Sequence, residues 1–455
     1  MTTQTPRRAT ASRPAAPRIS SPLPGPRARA LIDRDRRVAS PSLTRAYPLV
    51  AESGQGCVVT DVDGNRFLDF AAGIAVASTG HAHPEVVAAI REQAGKLIHI
   101  AATDFYEPMY LDFSERLAAI APFGDEPARV FLTNSGTEAV EAAIKLARYH
   151  TRRPAIIAFE GGFHGRTMGS LSLTNSKVKQ RAGFGPLLPM TYHAPFPRVR
   201  SWREQSGGDG AAELETLRRT LFGRLVAPGD VAAIVVEPIQ GEGGYFPAPP
   251  AFLRGLRELC DAHGILLIAD EIQSGMGRTG AWWAIERAGV EPDIVTAAKG
   301  IASGMPLGAM IARASLWTWG PGAHGSTFAG NPVCCAAGLA TLRLIERELL
   351  SNAAAMGDRL LSGLMRACEE SSTVRDIRGA GLMVAVEFAT HEVANAVQQA
   401  AFEAGLLVLE CGEAALRFSP PLIVSAEEVD TALGIFAEVL PAAARPEAGV
   451  QEVGG

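Results

Sequence analysis

The sequence predicts an α/β protein with a mostly parallel central sheet in a large domain and a smaller α+β domain beside it. Three observations carry this. The 455 residues exceed what a single small core needs. From about residue 85 to 340, short apolar runs alternate with amphipathic helical stretches, the pattern of strand–helix–strand units. The last hundred residues then change character.

In chain order, residues 1–37 carry nine arginines, with Asp33 and Asp35 as the only acids. Such a segment buries too little apolar surface to order itself and is expected to be a disordered Arg/Pro-rich tail. An organelle transit peptide has a similar composition, but no clear amphipathic helix is visible. Within an N-terminal segment spanning 38–84, Gly56–Phe70 reads as a hairpin turning at Asp63-Gly64. This segment is expected to join the small domain. Residues 85–335 form the expected large domain. Its strands are Ala128–Leu132, Ala155–Phe159, Val231–Glu237, Ile265–Asp270, Ile294–Ala297 and Gly308–Ala312. Residues 336–445 form the second domain, and 446–455 a flexible tail. A long helical pattern runs from Pro332 to about Cys368, followed by short strands around Leu382–Phe388 and Leu406–Leu409. Ser425 with Glu428 three residues on is a capping box that announces a closing helix.

Composition narrows the function. Charged residues make up 20% and the net charge is −5, which gives no reason to expect nucleic-acid binding or a membrane surface. No apolar run approaches the roughly 20 residues that span a bilayer. The six cysteines are scattered without CxxC or zinc spacing and read as reduced thiols, so a cytoplasmic location is expected. His81 and His83 have no third ligand nearby, and no metal is expected. Trp282 and Trp283 read as packing residues.

In open α/β sheets, ligands bind beyond the carboxyl ends of the strands. Three segments lie there. Thr133–Glu138 follows a strand and opens a helix with apolar face Ala139, Val140, Ala143, Ile144 and Ala147. Its free N–H groups and positive dipole end suit a phosphate, although the segment alone reads first as an ordinary N-cap. A Walker Lys-Ser/Thr is absent. The strand Ile265–Asp270 ends in acids, which either face a crevice or simply begin a loop. Lys299 follows the strand Ile294–Ala297; a lysine placed there forms a Schiff base with an aldehyde once its pKa falls. Together, an anion seat, a carboxylate and an amine match the three handles of pyridoxal phosphate.

With these residues in view, the sequence resembles the class III (ω-amino acid) aminotransferases of the fold-type-I pyridoxal-phosphate family, most of all the 4-aminobutyrate branch. The likeness covers roughly residues 45–440. It runs through Leu68–Val76, Thr79–Pro84, Asn134–Ala139, Phe163–Thr167, Glu237–Gly244, Asp270–Gln273, Lys299, Thr327–Pro332 and Leu416–Phe418. The resemblance implies that Lys299 carries the cofactor and shuttles a proton, and that Asp270 partners the pyridine nitrogen. It implies that Ser135, Gly136 and Thr137 hold the phosphate, and that Phe163 stacks on the ring. His164 and Glu237 are implied as further cofactor contacts, and Gln273 sits near the phenolic oxygen. Thr327 is implied to reach the phosphate of a neighbouring subunit, which makes a homodimer with active sites at the interface the expected working unit. A dimer of dimers would preserve the same arrangement.

For substrate binding the resemblance implies Ile74, Arg166, Glu242 and Arg417. Two guanidiniums grip a dicarboxylate bidentately, as 2-oxoglutarate requires. Glu242 is expected to cover Arg417 when a mono-carboxylate ω-amino donor is bound, and to swing away for the acceptor. Ile74 favours a 4-aminobutyrate-like donor over ornithine; acetylornithine stays open. Departures are Ile272, Met276, Phe163 and the acids of Leu409–Glu413, none of which removes a required group. The stretch Arg417–Leu422 also resembles amino-acid racemases of the same fold, and a pyridoxal-phosphate racemase or epimerase is the alternative reading.

Overall fold

A computed structural model describes residues 16–200, 202–203 and 206–443. Its centre is a seven-stranded sheet of β4 (Ala128–Thr133), β5 (Ala155–Phe159), β6 (Thr191–Ala194), β7 (Val231–Val236), β8 (Leu266–Asp270), β9 (Ile294–Ala297) and β10 (Gly308–Arg313). The spatial order is β4-β10-β9-β8-β7-β5-β6. Only β10 runs against its neighbours. The reason is connection length: the other strands are joined by helical crossovers, whereas a short segment around Lys299 leads from β9 to β10 and permits only local reversal.

Both faces of this sheet are covered, so its central strands β5 and β7 are apolar and buried at every position rather than alternating. Ile156 and Ala158 of β5 pack with Val140, Ala143, Ile144 and Ala147 of the helix Gly136–Thr151. Ala155, Ile157 and Phe159 face the opposite layer, with Phe252, Leu256 and Cys260 of the helix Pro250–His263. Burying each large aliphatic side chain contributes about 1.5–3 kcal/mol, which makes this sandwich a rigid floor for what projects from its edge.

A four-stranded antiparallel sheet, β11 (Val374–Ala380), β12 (Met383–Phe388), β15 (Ala415–Phe418) and β14 (Leu409–Cys411), lies in the C-terminal part. The helix Ala426–Ala443 opens with the expected capping box: Ser425 N–H donates to Glu428 (2.7 Å), and Glu428 N–H to Ser425 Oγ (3.2 Å). The N-terminal hairpin pairs β2 (Val58–Asp61) with β3 (Arg66–Asp69), and Leu406–Leu407 adds to β3 in parallel. Thus chain ends far apart in sequence share one sheet. No helix among the described residues is long and apolar enough to cross a membrane.

One expectation needs correction. Residues 16–37, read as part of a disordered tail, are ordered, with a helix over Pro26–Val38. Local composition disfavours it, but partners distant in sequence supply what composition lacks. The Asp63 carboxylate accepts Arg27 N–H (2.9 Å) and Ala28 N–H (2.8 Å), the orphan donors of the helix N-terminus. Asn65 Oδ1 accepts Ser20 N–H and Ser21 N–H (2.8 and 2.9 Å), and Arg18 pairs its backbone with Arg66. Residues 1–15 of that tail, and the tail at 446–455, lie outside the described residues.

Candidate active site

Parallel strands that end at one edge deliver their following loops to one crevice. Here the residues after β4, β5, β7, β8 and β9 converge on a cavity of about 410 Å³. Ser135, Gly136, Thr137, Phe163, His164, Arg166, Glu237, Asp270, Gln273 and Lys299 all line it.

Its anion seat is the N-terminus of the 16-residue helix Gly136–Thr151. Ser135 caps it, accepting Glu138 N–H at 3.4 Å. At Gly136 a Cβ would lie 2.8 Å from Ile272 Cδ1, so only glycine leaves this corner open. Gly165, at φ 139°, lies against the same turn; a Cβ there would meet Thr137 Oγ1 at 2.3 Å.

Asp270 ends β8, and Glu271 just beyond it points to different surroundings. Glu271 is fully buried away from the cavity, accepting Ile285 N–H (2.8 Å) and bonding Ser274. Asp270 faces the cavity and is fixed from behind. His164 Nδ1 stands 2.7 Å from its Oδ2, while Thr296 Oγ1 (3.2 Å) and Ile272 N–H (3.1 Å) donate to Oδ1. Burial opposes charge on the His164 ring, but the bond to Asp270 outweighs it and holds the imidazole above its ordinary pKa. The His164 contact also holds the Asp270 carboxylate in place. Glu237, also buried, is pushed up to about 7 by desolvation; it accepts Phe163 N–H (2.9 Å) and Gly241 N–H (2.8 Å) and so shapes the loops on either side.

Lys299 sits at φ 47°, in the left-handed region, in the tight turn after β9. A non-glycine residue there costs roughly 1–2 kcal/mol, strain that surrounding structure must hold. Desolvation, reinforced by the nearby Arg417 charge, pulls the amine down to about 8. The neutral, nucleophilic fraction near neutral pH is then far larger than for an ordinary lysine, although the protonated form still predominates below pH 8.

Arg417 lies on β15, on the face opposite Leu416 and Phe418, which enter the core. It is buried, and its Nη1 donates to Glu242 Oε2 at 3.2 Å. Burial alone would raise the Glu242 carboxyl; Arg417 and Lys177 outweigh it and hold it below the usual range. Neither Glu242 nor Arg417 lines the cavity, yet both act electrostatically on Lys299. Arg166 does line it, with its guanidinium 5.5 Å from the Phe163 ring centre. Ile74 is exposed, at φ 68°, outside the lining; Val76 takes a place in the wall. Thr327 is exposed and does not reach the cavity of its own chain, although the neighbouring Ser326 accepts from Asn134 Nδ2 (3.1 Å) beside the anion seat.

Two residues escaped sequence reasoning. Tyr245, fully buried, donates its hydroxyl to Gln273 Oε1 at 2.7 Å, which fixes which end of that amide is free. Lys177 reaches Glu242 from a loop. Neither sits at a strand end, so no positional signal marked them. His81 is not part of the site: its Nε2 bonds Asp69 at 2.7 Å. Trp283 is fully buried in the core, and all six cysteines are buried.

The donor set fits pyridoxal phosphate. A helix N-terminus with hydroxyls suits the phosphate, and a buried carboxylate held by His164 and Thr296 suits a pyridinium. Phe163 offers a flat face, and a low-pKa amine suits an aldehyde.

A family model described as Aminotransferase class-III matches residues 40–440. A 5-aminovalerate aminotransferase of Pseudomonas aeruginosa is 40% identical over 421 residues, covering 90% of this chain and 97% of that protein. An alanine/serine racemase of Pyrococcus horikoshii is 38% identical, covering 92% of each. Among solved structures, the ornithine aminotransferase of Toxoplasma gondii superposes with a TM-score of 0.81 at 31% identity, covering 91% of this chain and 95% of that one.

Proposed function

The chain belongs to the class III aminotransferase family, and on that premise we propose that it moves an amino group from an ω-amino acid to 2-oxoglutarate in two half-reactions. The donor in this reading is 4-aminobutyrate-like; ornithine and acetylornithine are the nearest competitors. It is a pyridoxal-phosphate-dependent enzyme, and the bound cofactor supplies an electron sink for the carbon that loses a proton.

The chain's own residues do the rest. Lys299 anchors the cofactor and then moves the proton, its Nζ accepting from the amine-bearing carbon. An amine with pKa about 8 is well matched to that task near neutral pH. Asp270, backed by His164, holds a proton on the pyridine nitrogen. Ser135, Gly136 and Thr137 bind the phosphate, Phe163 covers one ring face, and Gln273, oriented by Tyr245, bonds the phenolic oxygen. Glu237 holds the loops that carry Phe163 and Gly241. Arg166 binds one carboxylate. Arg417 binds the second carboxylate of the acceptor, while Glu242 covers it for a mono-carboxylate donor. Ile74 contributes to the donor pocket.

The working unit is a homodimer in which Thr327 of one subunit completes the phosphate site of the other, in the cytoplasm. The observation that carries the reading is the meeting of Lys299, Asp270 and a glycine-opened helix N-terminus in one cavity.

The test is spectroscopic. Single additions of 4-aminobutyrate, 5-aminovalerate, ornithine and acetylornithine are made to the purified holoenzyme. The physiological donor class should remove the cofactor's visible band, and 2-oxoglutarate should restore it. The similarity to an alanine/serine racemase keeps a second reading. If no ω-amino donor changes the band while alanine or serine loses its chirality, that reading replaces the first.

A further inference from the structure

Arg417 and Glu242 would suffice for a simple covering switch, but a third charge is present. Lys177 Nζ donates to Glu242 Oε1 at 3.1 Å, and Arg417 Nη1 to Oε2 at 3.2 Å, one cation on each oxygen. Arg417 is the buried member, with its side chain 6% exposed; those of Lys177 and Glu242 are 27% and 22% exposed. An exposed lysine–glutamate contact is worth little. This one differs because the carboxylate is shared with a desolvated guanidinium.

Hydrogen bonds fix both loops of the arrangement. Asn175 and Ser176 N–H groups both donate to Gly162 O (2.9 and 3.1 Å), tying the Lys177 loop to the residue before Phe163. Ser176 Oγ bonds Gln180 Oε1 at 2.7 Å. Gly412 N–H donates to Glu242 O at 2.8 Å, tying the Glu242 loop to the turn before β15. Nearby Glu413 is taken up by Arg198 (3.1 Å). Nε of Arg417 is buried and has no hydrogen-bond partner among the described residues, so the guanidinium has donor capacity left.

Two cations against one carboxylate leave one net positive charge with Glu242 in place. We propose that Lys177 is a specificity-determining residue: with Arg417 it forms a two-cation seat that selects an acceptor bearing a second carboxylate. This rests on the transaminase reading above. When the acceptor's distal carboxylate takes Arg417, Glu242 would otherwise be a half-buried anion facing another anion, which is costly. Lys177 keeps it paired. With a mono-carboxylate donor, Glu242 and Arg417 stay paired and Lys177 matters far less.

The test compares wild-type, Lys177→Met and Lys177→Arg holoenzymes. Calorimetry measures binding of the unreactive glutarate and butyrate, and single-half-reaction kinetics use 2-oxoglutarate, pyruvate and 4-aminobutyrate. In Lys177→Met the preference for glutarate over butyrate should fall about tenfold, a ratio independent of how much enzyme is active. KM for 2-oxoglutarate should rise by a similar factor, with pyruvate and 4-aminobutyrate shifted far less, and Lys177→Arg should recover most of the loss. Unchanged glutarate preference in Lys177→Met, or equal losses for donor and acceptor, overturns the proposal while the transaminase reading stands. If the wild type itself shows no preference for 2-oxoglutarate over pyruvate, the acceptor assignment fails and this inference falls with it.

Discussion

Replacing Lys299 with methionine should abolish turnover and, at the same time, stabilise the cofactor-free protein at neutral pH. The cavity pulls the amine from its ordinary 10.5 to about 8. Each unit of pKa corresponds to about 1.4 kcal/mol, so holding the ammonium in the folded chain costs at most about 3.4 kcal/mol. Lys299 faces an open cavity, where water screens part of this charge, and roughly 1–2 kcal/mol is the realistic gain. The sign follows from linkage. Below pH 8 both folded and unfolded chains carry the proton, and the folded state bears the full penalty. Between 8 and 10.5 the folded chain alone releases it, and above 10.5 the penalty is gone. Methionine keeps the length and apolar stem without the charge. The assay is urea unfolding of both cofactor-free proteins at pH 7 and pH 10, read by fluorescence at matched protein concentration. Lys299→Met should unfold at higher urea at pH 7, and its advantage should shrink at pH 10. No stabilisation at pH 7, or a gain that does not diminish with pH, would refute the reasoning that desolvation sets this amine.

Two further outcomes follow from the geometry. Tyr245→Phe removes the donor to Gln273 Oε1, a buried bond worth about 1 kcal/mol. The holoenzyme's visible band should shift or titrate at a different pH while thermal stability changes little; an unaltered spectrum would show that Gln273 needs no orienting. Asp63→Ala deletes the carboxylate that caps the helix Pro26–Val38, a change worth about 0.5–2 kcal/mol. Trypsin should then cut at Arg27–Arg37 faster than in wild type with catalysis intact, and equal cleavage would mean the cap is dispensable.

The site was legible wherever chemistry coincides with a strand end. Asp270 closes β8 and Lys299 follows β9, and a chain that alternates strand and helix has nowhere else to put such residues than at the sheet's carboxyl edge. The anion seat was legible because Ser135 and Gly136 stand where a helix must begin. Strands β6, β11 and β15 were less visible. Thr191–Ala194 is polar and half-buried at the sheet edge, and Val374–Ala380 is broken by charges at Arg375, Asp376 and Arg378. The buried two, Asp376 and Arg378, are satisfied only in the folded chain, where Arg378 pairs Asp376 (3.0 Å) and Glu387.

The sequence by itself determined the fold class, the order of the sheet-forming runs and the candidate pair Lys299 and Asp270 that the structure brings to one cavity, because periodicity and strand ends are local properties of a chain. Only the tertiary structure decided the rest. It ordered residues 16–37 through Asp63 and Asn65, set Tyr245 behind Gln273, and placed Lys177 against a glutamate 65 positions away that is shared with an arginine 175 positions further on. Such groups take their protonation and their role from partners brought close by packing, and distance in space cannot be read from spacing along the chain.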